Sequence, residues 1–186
     1  MTKKLHISFI LDETGSMNDV KGQTIAGFNE YIDNLKKGEA SSKALFTLTK
    51  FNSEKVEIVC DDVSLACVNK LTNENYNPDH MTPLYDAVGK TIKSLESKMK
   101  GKKQHALVII QTDGQENASR EYTRQNIFSM IEDKKKLGWT FAFLGADQDA
   151  YLASVLIGIS KGNTMCYAKS GGKPTEDLFS QNEDNL

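Results

Sequence analysis

Cysteine, proline and charge of one sign are all scarce in this chain of 186 residues. The three cysteines, Cys60, Cys67 and Cys166, are odd in number and far apart, with no CxxC pair and no histidine beside them. That excludes a disulfide framework and argues against a zinc or redox centre; the thiols are expected to be small buried hydrophobes in a reducing compartment. Three prolines and 39 % apolar residues exclude collagen-like and disordered chains. A formal charge of −2 leaves no cationic excess for gripping a polyanion, so nucleic acid is not an expected partner. The lysine clusters Lys98–Lys103 and Lys134–Lys136 fall near expected helix ends, where solvated cations are commonplace.

Long hydrophobic runs are missing as well. The first apolar stretch, Leu5–Leu11, stops at Asp12, too soon for a secretory leader. Nothing approaches the ~20 apolar residues of a membrane span. A cytoplasmic location with no membrane partner is expected, and the sequon Asn117-Ala118-Ser119 would then stay unmodified. The length and the mass of 20.7 kDa suit one domain, expected over residues 1–168. From 169 to 186 the chain turns polar through Ser170-Gly171-Gly172-Lys173-Pro174, and this tail has Leu178 and Phe179 as its only anchors.

Strand and helix patterns alternate. Leu5–Leu11 reads as a strand, and Val20–Leu35 as a helix with Ile25, Phe28, Ile32 and Leu35 on one stripe. Ala44–Phe51 and Lys55–Cys60 read as a hairpin about Asn52-Ser53-Glu54, followed by an irregular stretch from Asp61 to Met81. A helix opens at Thr82-Pro83 and carries Leu84, Val88, Ile92, Leu95 and Met99 on one side. His105–Thr112 holds a continuous apolar run, the mark of a strand buried on both faces. Tyr122–Leu137 is helical in period, Trp139–Gly145 strand-like and Gln148–Ile157 a short helix. The order predicts an α/β fold of Rossmann-like type: a mostly parallel central sheet, one antiparallel edge strand, and helices on both faces.

In such a sheet, ligands bind outside the carboxyl ends of the strands, where strand order reverses. Three polar clusters fall there. Asp12-Glu13-Thr14-Gly15-Ser16 follows the first strand, and its Asp12, Thr14 and Ser16 project to one side of an extended segment. One carboxylate and two hydroxyls are hard oxygen donors of the kind that suits Mg²⁺, Mn²⁺ or Ca²⁺; a helix cap is the alternative for the same residues. Thr82 precedes a helix and Asp113-Gly114 follows the buried strand; alone, each reads as an ordinary cap or turn. Loops that end adjacent strands about 4.8 Å apart can nevertheless bring all three clusters around one ion.

These three segments, DETGSM at 12–17, MTPLYDAVG at 81–89 and QTDGQENAS at 111–119, match in order a pattern of Asp-x-Ser-x-Ser, a later Thr and a later Asp. Over roughly residues 4–167 the chain resembles the von Willebrand factor A domain with its metal-ion-dependent adhesion site, and most nearly the small stand-alone members of bacteria and their phages. The resemblance implies that Thr14 and Ser16 bind the ion directly, that Thr82 does so in at least one state, and that Asp12 and Asp113 hold it through waters. It further implies an open coordination position for an Asp or Glu of a partner protein. Two departures stand out: Thr14 replaces the commoner Ser, and Asp79-His80 replace a basic residue and a glycine. His80 is expected to be a solvated loop side chain, and Glu116 is a lesser candidate as a further oxygen ligand.

A non-enzymatic, cation-dependent protein-binding module is therefore the favoured reading. A Mg²⁺-dependent phosphatase using Asp12 as nucleophile is the alternative, but Thr14 stands where that chemistry wants a second acid, and a hydroxyl is no general acid near neutral pH. A scaffold with a vestigial metal site is the third. Gly89-Lys90-Thr91 imitates the end of a phosphate-binding loop, but Leu84 stands where the first glycine belongs. The histidines, His6, His80 and His105, attach to no nucleophile motif.

Overall fold

Leu5–Asp12 (β1) forms the centre of the sheet because its side chains are buried on both faces. The computed structural model describes residues 4–38, 42–99, 105–113, 115–145 and 148–166. After β1 come a 3-10 turn at Gly15–Val20, α1 (Lys21–Lys37), β2 (Ala44–Phe51) and β3 (Val56–Ser64). A 3-10 turn at Leu65–Cys67 and a long loop lead to α2 (Leu84–Met99), β4 (His105–Thr112) and α3 (Arg124–Lys136). The chain continues through β5 (Thr140–Gly145), α4 (Gln148–Leu156) and β6 (Thr164–Cys166). The sheet order is β3-β2-β1-β4-β5-β6, parallel except for the antiparallel β2–β3 pair at one edge. The expected fold class holds.

Two apolar cores sandwich this sheet. Ile7, Phe9 and Leu11 face α1 with Phe28 and Ile32, and Phe9 meets Phe28 edge-on at 5.2 Å between centroids. On the opposite face Ile10, Val108 and Ile110 pack with Val88 and Ile92 of α2 and Ile127 and Ile131 of α3. The Gly89 triplet lies inside α2, where a Cβ at Gly89 would come within 2.7 Å of the Tyr122 ring. Its glycine is thus required by close packing of α2 against the segment before α3, and owes nothing to phosphate.

Several expectations need correction. β3 runs to Ser64 rather than Cys60, because antiparallel pairing continues through register shifts that break the alternating pattern. α3 starts at Arg124, since Thr123 and Asn126 form a reciprocal capping box there. The three-residue β6 escaped the reading because only its pairing with β5 defines it. Cys60 is half-buried and Cys67 exposed, so these thiols are not core residues: one lies on the edge strand and the other in a surface turn. The side chain of Cys166, Gly114, Lys100 to Lys103 and the tail with Leu178 and Phe179 lie outside the described residues. No helix among the described residues is long and apolar enough to cross a membrane.

Candidate metal centre

Strand order reverses between β1 and β4, and both strands end at the same edge. There the polar clusters meet. The Asp12 carboxylate is fully buried; its Oδ1 accepts from Thr14 N at 2.8 Å and its Oδ2 from Thr112 Oγ1 at 2.6 Å. Thr82 Oγ1 donates to Thr14 Oγ1 at 3.1 Å, and Thr14 Oγ1 lies 3.4 Å from Ser16 Oγ. Asp113, at the end of β4, is near enough to act electrostatically on Asp12. The structure thus gathers the residues named from sequence, with Asp12, Thr14 and Thr82 buried and Ser16 exposed.

Burial pushes the Asp12 carboxyl up to about 7; the Thr112 and Thr14 hydrogen bonds oppose the shift and the charge of Asp113 adds to it. Among the described residues Asp12 makes no ion pair with a basic side chain. Two neighbouring acids beside a chain of hydroxyls favour positive charge at this edge. The spacing fits as well: oxygens about 2.1 Å from a Mg²⁺ ion lie about 3.0 Å from each other, close to the Thr82–Thr14 separation. Among the described residues no group of three or more His, Cys, Asp or Glu could hold a metal, so the other donors here are hydroxyls. Hydroxyls leave the charge of a cation largely uncancelled, which suits capture of an outside carboxylate.

Other residues position this site and were not read from the sequence. Tyr76, fully buried in the loop after β3, donates its hydroxyl to the Asp12 carbonyl at 2.6 Å. Lys50 Nζ donates to Glu13 Oε1 at 2.8 Å and to the Asn75 carbonyl at 2.9 Å, and Glu13 Oε1 also accepts from Asn77 N. This buried ion pair ties the Tyr76 loop to the ends of β1 and β2. Asp86, in the first turn of α2, accepts from the backbone N–H groups of Arg120, Glu121 and Tyr122. Burial alone would raise its pKa, but these three donors hold it below the ordinary carboxylate value.

Glu116 is occupied rather than offered to an ion. Its oxygens accept from the backbone of Tyr85, Ala118 and Ser119 and from the Ser119 hydroxyl. His80 is the solvated loop residue expected, its side chain 38 % exposed and 3.3 Å from Glu54 Oε2. Its backbone matters more: at φ 70 it turns its carbonyl onto Gly15 N at 2.9 Å. That left-handed conformation suits the glycine that the resembled family carries there. His80→Gly is expected to match or exceed the parent in urea unfolding by up to about 1 kcal/mol, whereas His80→Val loses about 1–2 kcal/mol.

The fold and this edge define a Rossmann-like α/β domain with an oxygen-rich crevice at its switch point. A family model for the von Willebrand factor type A domain matches residues 6–181, and the chain belongs to that family. Among solved structures, manganese-loaded Plasmodium vivax TRAP protein is similar with a TM-score of 0.64 at 14 % identity, over 90 % of this chain and 69 % of that one. The open conformation of the pilus adhesin SpaC from Lactobacillus rhamnosus GG gives 0.67 at 13 % identity, over 99 % of this chain but 30 % of the adhesin. The SpRpn10 VWA domain gives 0.53 at 11 % identity, over 100 % and 96 %. At such identities the likeness is one of fold. No curated protein matches the sequence. Domains of this family commonly mediate protein–protein interactions and are typically not enzymes.

Proposed function

We propose that the protein is a divalent-cation-dependent protein-binding module of the metal-ion-dependent adhesion type. Thr14, Ser16 and Thr82 hold Mg²⁺, Mn²⁺ or Ca²⁺ through their hydroxyls, Asp12 and Asp113 do so largely through water, and a partner protein supplies an Asp or Glu. The observation that carries this reading is the run of three hydroxyls, 3.1 and 3.4 Å apart, beside the buried carboxylate of Asp12. The ion supplies Lewis acidity toward the incoming carboxylate, while the chain orients donors and excludes water. The half-buried and exposed thiols of Cys60 and Cys67 are both free, which fits a cytoplasmic setting.

Calorimetry is expected to show one Mg²⁺ or Mn²⁺ site in the parent and none in Asp12→Ala, with circular dichroism unchanged between them. A pull-down from host lysate should recover a partner only when EDTA is absent, and not with the variant. Metal binding by Asp12→Ala equal to the parent's would overturn the assignment. Turnover of a generic phosphate ester with Mg²⁺, lost in Asp12→Asn, would favour the phosphatase instead.

A further inference from the structure

One part of the sheet, under α2, carries hydroxyls where apolar side chains are usual. Where α2 overhangs β1, β2 and β3, its helix face and the strands leave a half-open cavity of about 380 Å³ beside their apolar contact. Ser8 and Thr49 form its floor, and Thr91 and Ser94 of α2 face them across it. Ser8, Thr49 and Thr91 are only 2, 3 and 6 % exposed. None of these four hydroxyls has a hydrogen-bond partner among the described residues, and none is sealed from the cavity. Thr47 differs, since it already bonds Asp61 and the backbone of Asp62. Because these hydroxyls open onto the cavity, they are free to donate to whatever fills it, water or a ligand.

The remaining lining sets the chemistry. Lys90 and Lys98 are its charged members among the described residues, and Val56, Ile58 and Leu95 make an apolar wall. Lys98 is pinned by Asp61 and Asp62, the latter also 3.2 Å from His6 Nδ1. Lys90 is freer: its partner Glu121, at 2.7 Å, is 57 % exposed, and such surface pairs contribute about 0–1 kcal/mol and exchange readily. Among the described residues no carboxylate, side-chain amide or aromatic ring lines the space. The set therefore offers donors to an acceptor-rich group, with room for a short apolar body beside it.

We propose that this cavity binds a small phosphate monoester, whose oxygens take Lys90 and the hydroxyls of Thr49, Thr91 and Ser94 while its apolar part rests on Val56, Ile58 and Leu95. The site lies along the middle of α2 and is separate from the metal centre at the strand ends, so it stands whether or not that centre binds metal. Three terminal oxygens match one ammonium and several hydroxyl donors better than a carboxylate does. The volume falls within the range of small-molecule sites.

Amide-resolved NMR of the full chain, dialysed free of metal, tests this with phenyl phosphate, inorganic phosphate and benzyl alcohol as probes. Phenyl phosphate is expected to shift the amides of Thr49, Ile58, Thr91 and Ser94 saturably, and to bind at least about tenfold more tightly than either other probe. Lys90→Gln and the isosteric Thr49→Val should each weaken it by about tenfold without changing the melting temperature in its absence by more than a few degrees. Equal binding of benzyl alcohol or of inorganic phosphate, shifts centred elsewhere, no saturable shift at millimolar probe, or parental affinity in both variants would each overturn the proposal. Lys90 is a surface residue, so its variant keeps the test decisive even if Thr49→Val unfolds.

Discussion

Lys50→Met is expected to destabilise the protein by about 3–5 kcal/mol in urea unfolding, the largest effect of any single substitution outside the apolar core. Methionine fills the lysine's volume, so packing is nearly kept. What is lost is the cation in direct contact with Glu13, whose side chain is 5 % exposed and cannot recover its charge solvation from water. The Asn75 carbonyl loses its donor at the same time. Adding Glu13→Gln removes the stranded charge and keeps an acceptor for Asn77 N, so the double variant should regain at least half of the loss. Failure to regain it would mean that Lys50 acts through its packing or through Asn75 alone. Because the pair anchors the loop that delivers Tyr76 and, beyond it, Thr82, the single variant should also weaken metal binding.

That ion pair also shows where sequence reading ends. β2 and β4 appear in the structure with the bounds their apolar runs suggest, since a buried parallel strand writes itself as a local run. Asp12, Thr14, Ser16, Thr82 and Asp113 were legible because each follows a strand or opens a helix, and because family resemblance ties the three segments together. Glu13 and Tyr76 were not. Their partners are 37 and 64 residues away, and no local period encodes such pairings. The one available signal was Lys50 itself, a lysine inside an otherwise uncharged strand next to Phe51. The bonds of Glu116 were hidden for a related reason: an acid in a polar loop looks free until its backbone donors are seen. The unpartnered hydroxyls of Ser8 and Thr49 under α2 carry no local signal, because both pass as ordinary β-strand residues.

The pH dependence of metal binding should be steep, and its sign follows from the buried state of Asp12. Its carboxyl titrates near 7 in the fold against an ordinary 3.8 in the unfolded chain. Between those values the metal-free folded state holds a proton that the unfolded state has released. Stability without metal is therefore greatest below about pH 4, falls as pH rises through the window, and levels off above 7. A bound cation needs the ionised form, so binding below pH 7 must expel that proton. Apparent metal affinity should accordingly rise about tenfold per pH unit up to 7, or roughly a hundredfold from pH 5, and flatten beyond. Calorimetry near pH 6 in two buffers of different ionisation enthalpy should detect about one proton released per ion bound. In Asp12→Asn the metal-free stability should lose its slope across the same window. An affinity independent of pH from 5 to 7 would show that Asp12 is already ionised in the metal-free fold, and that its charge is balanced by something other than the ion.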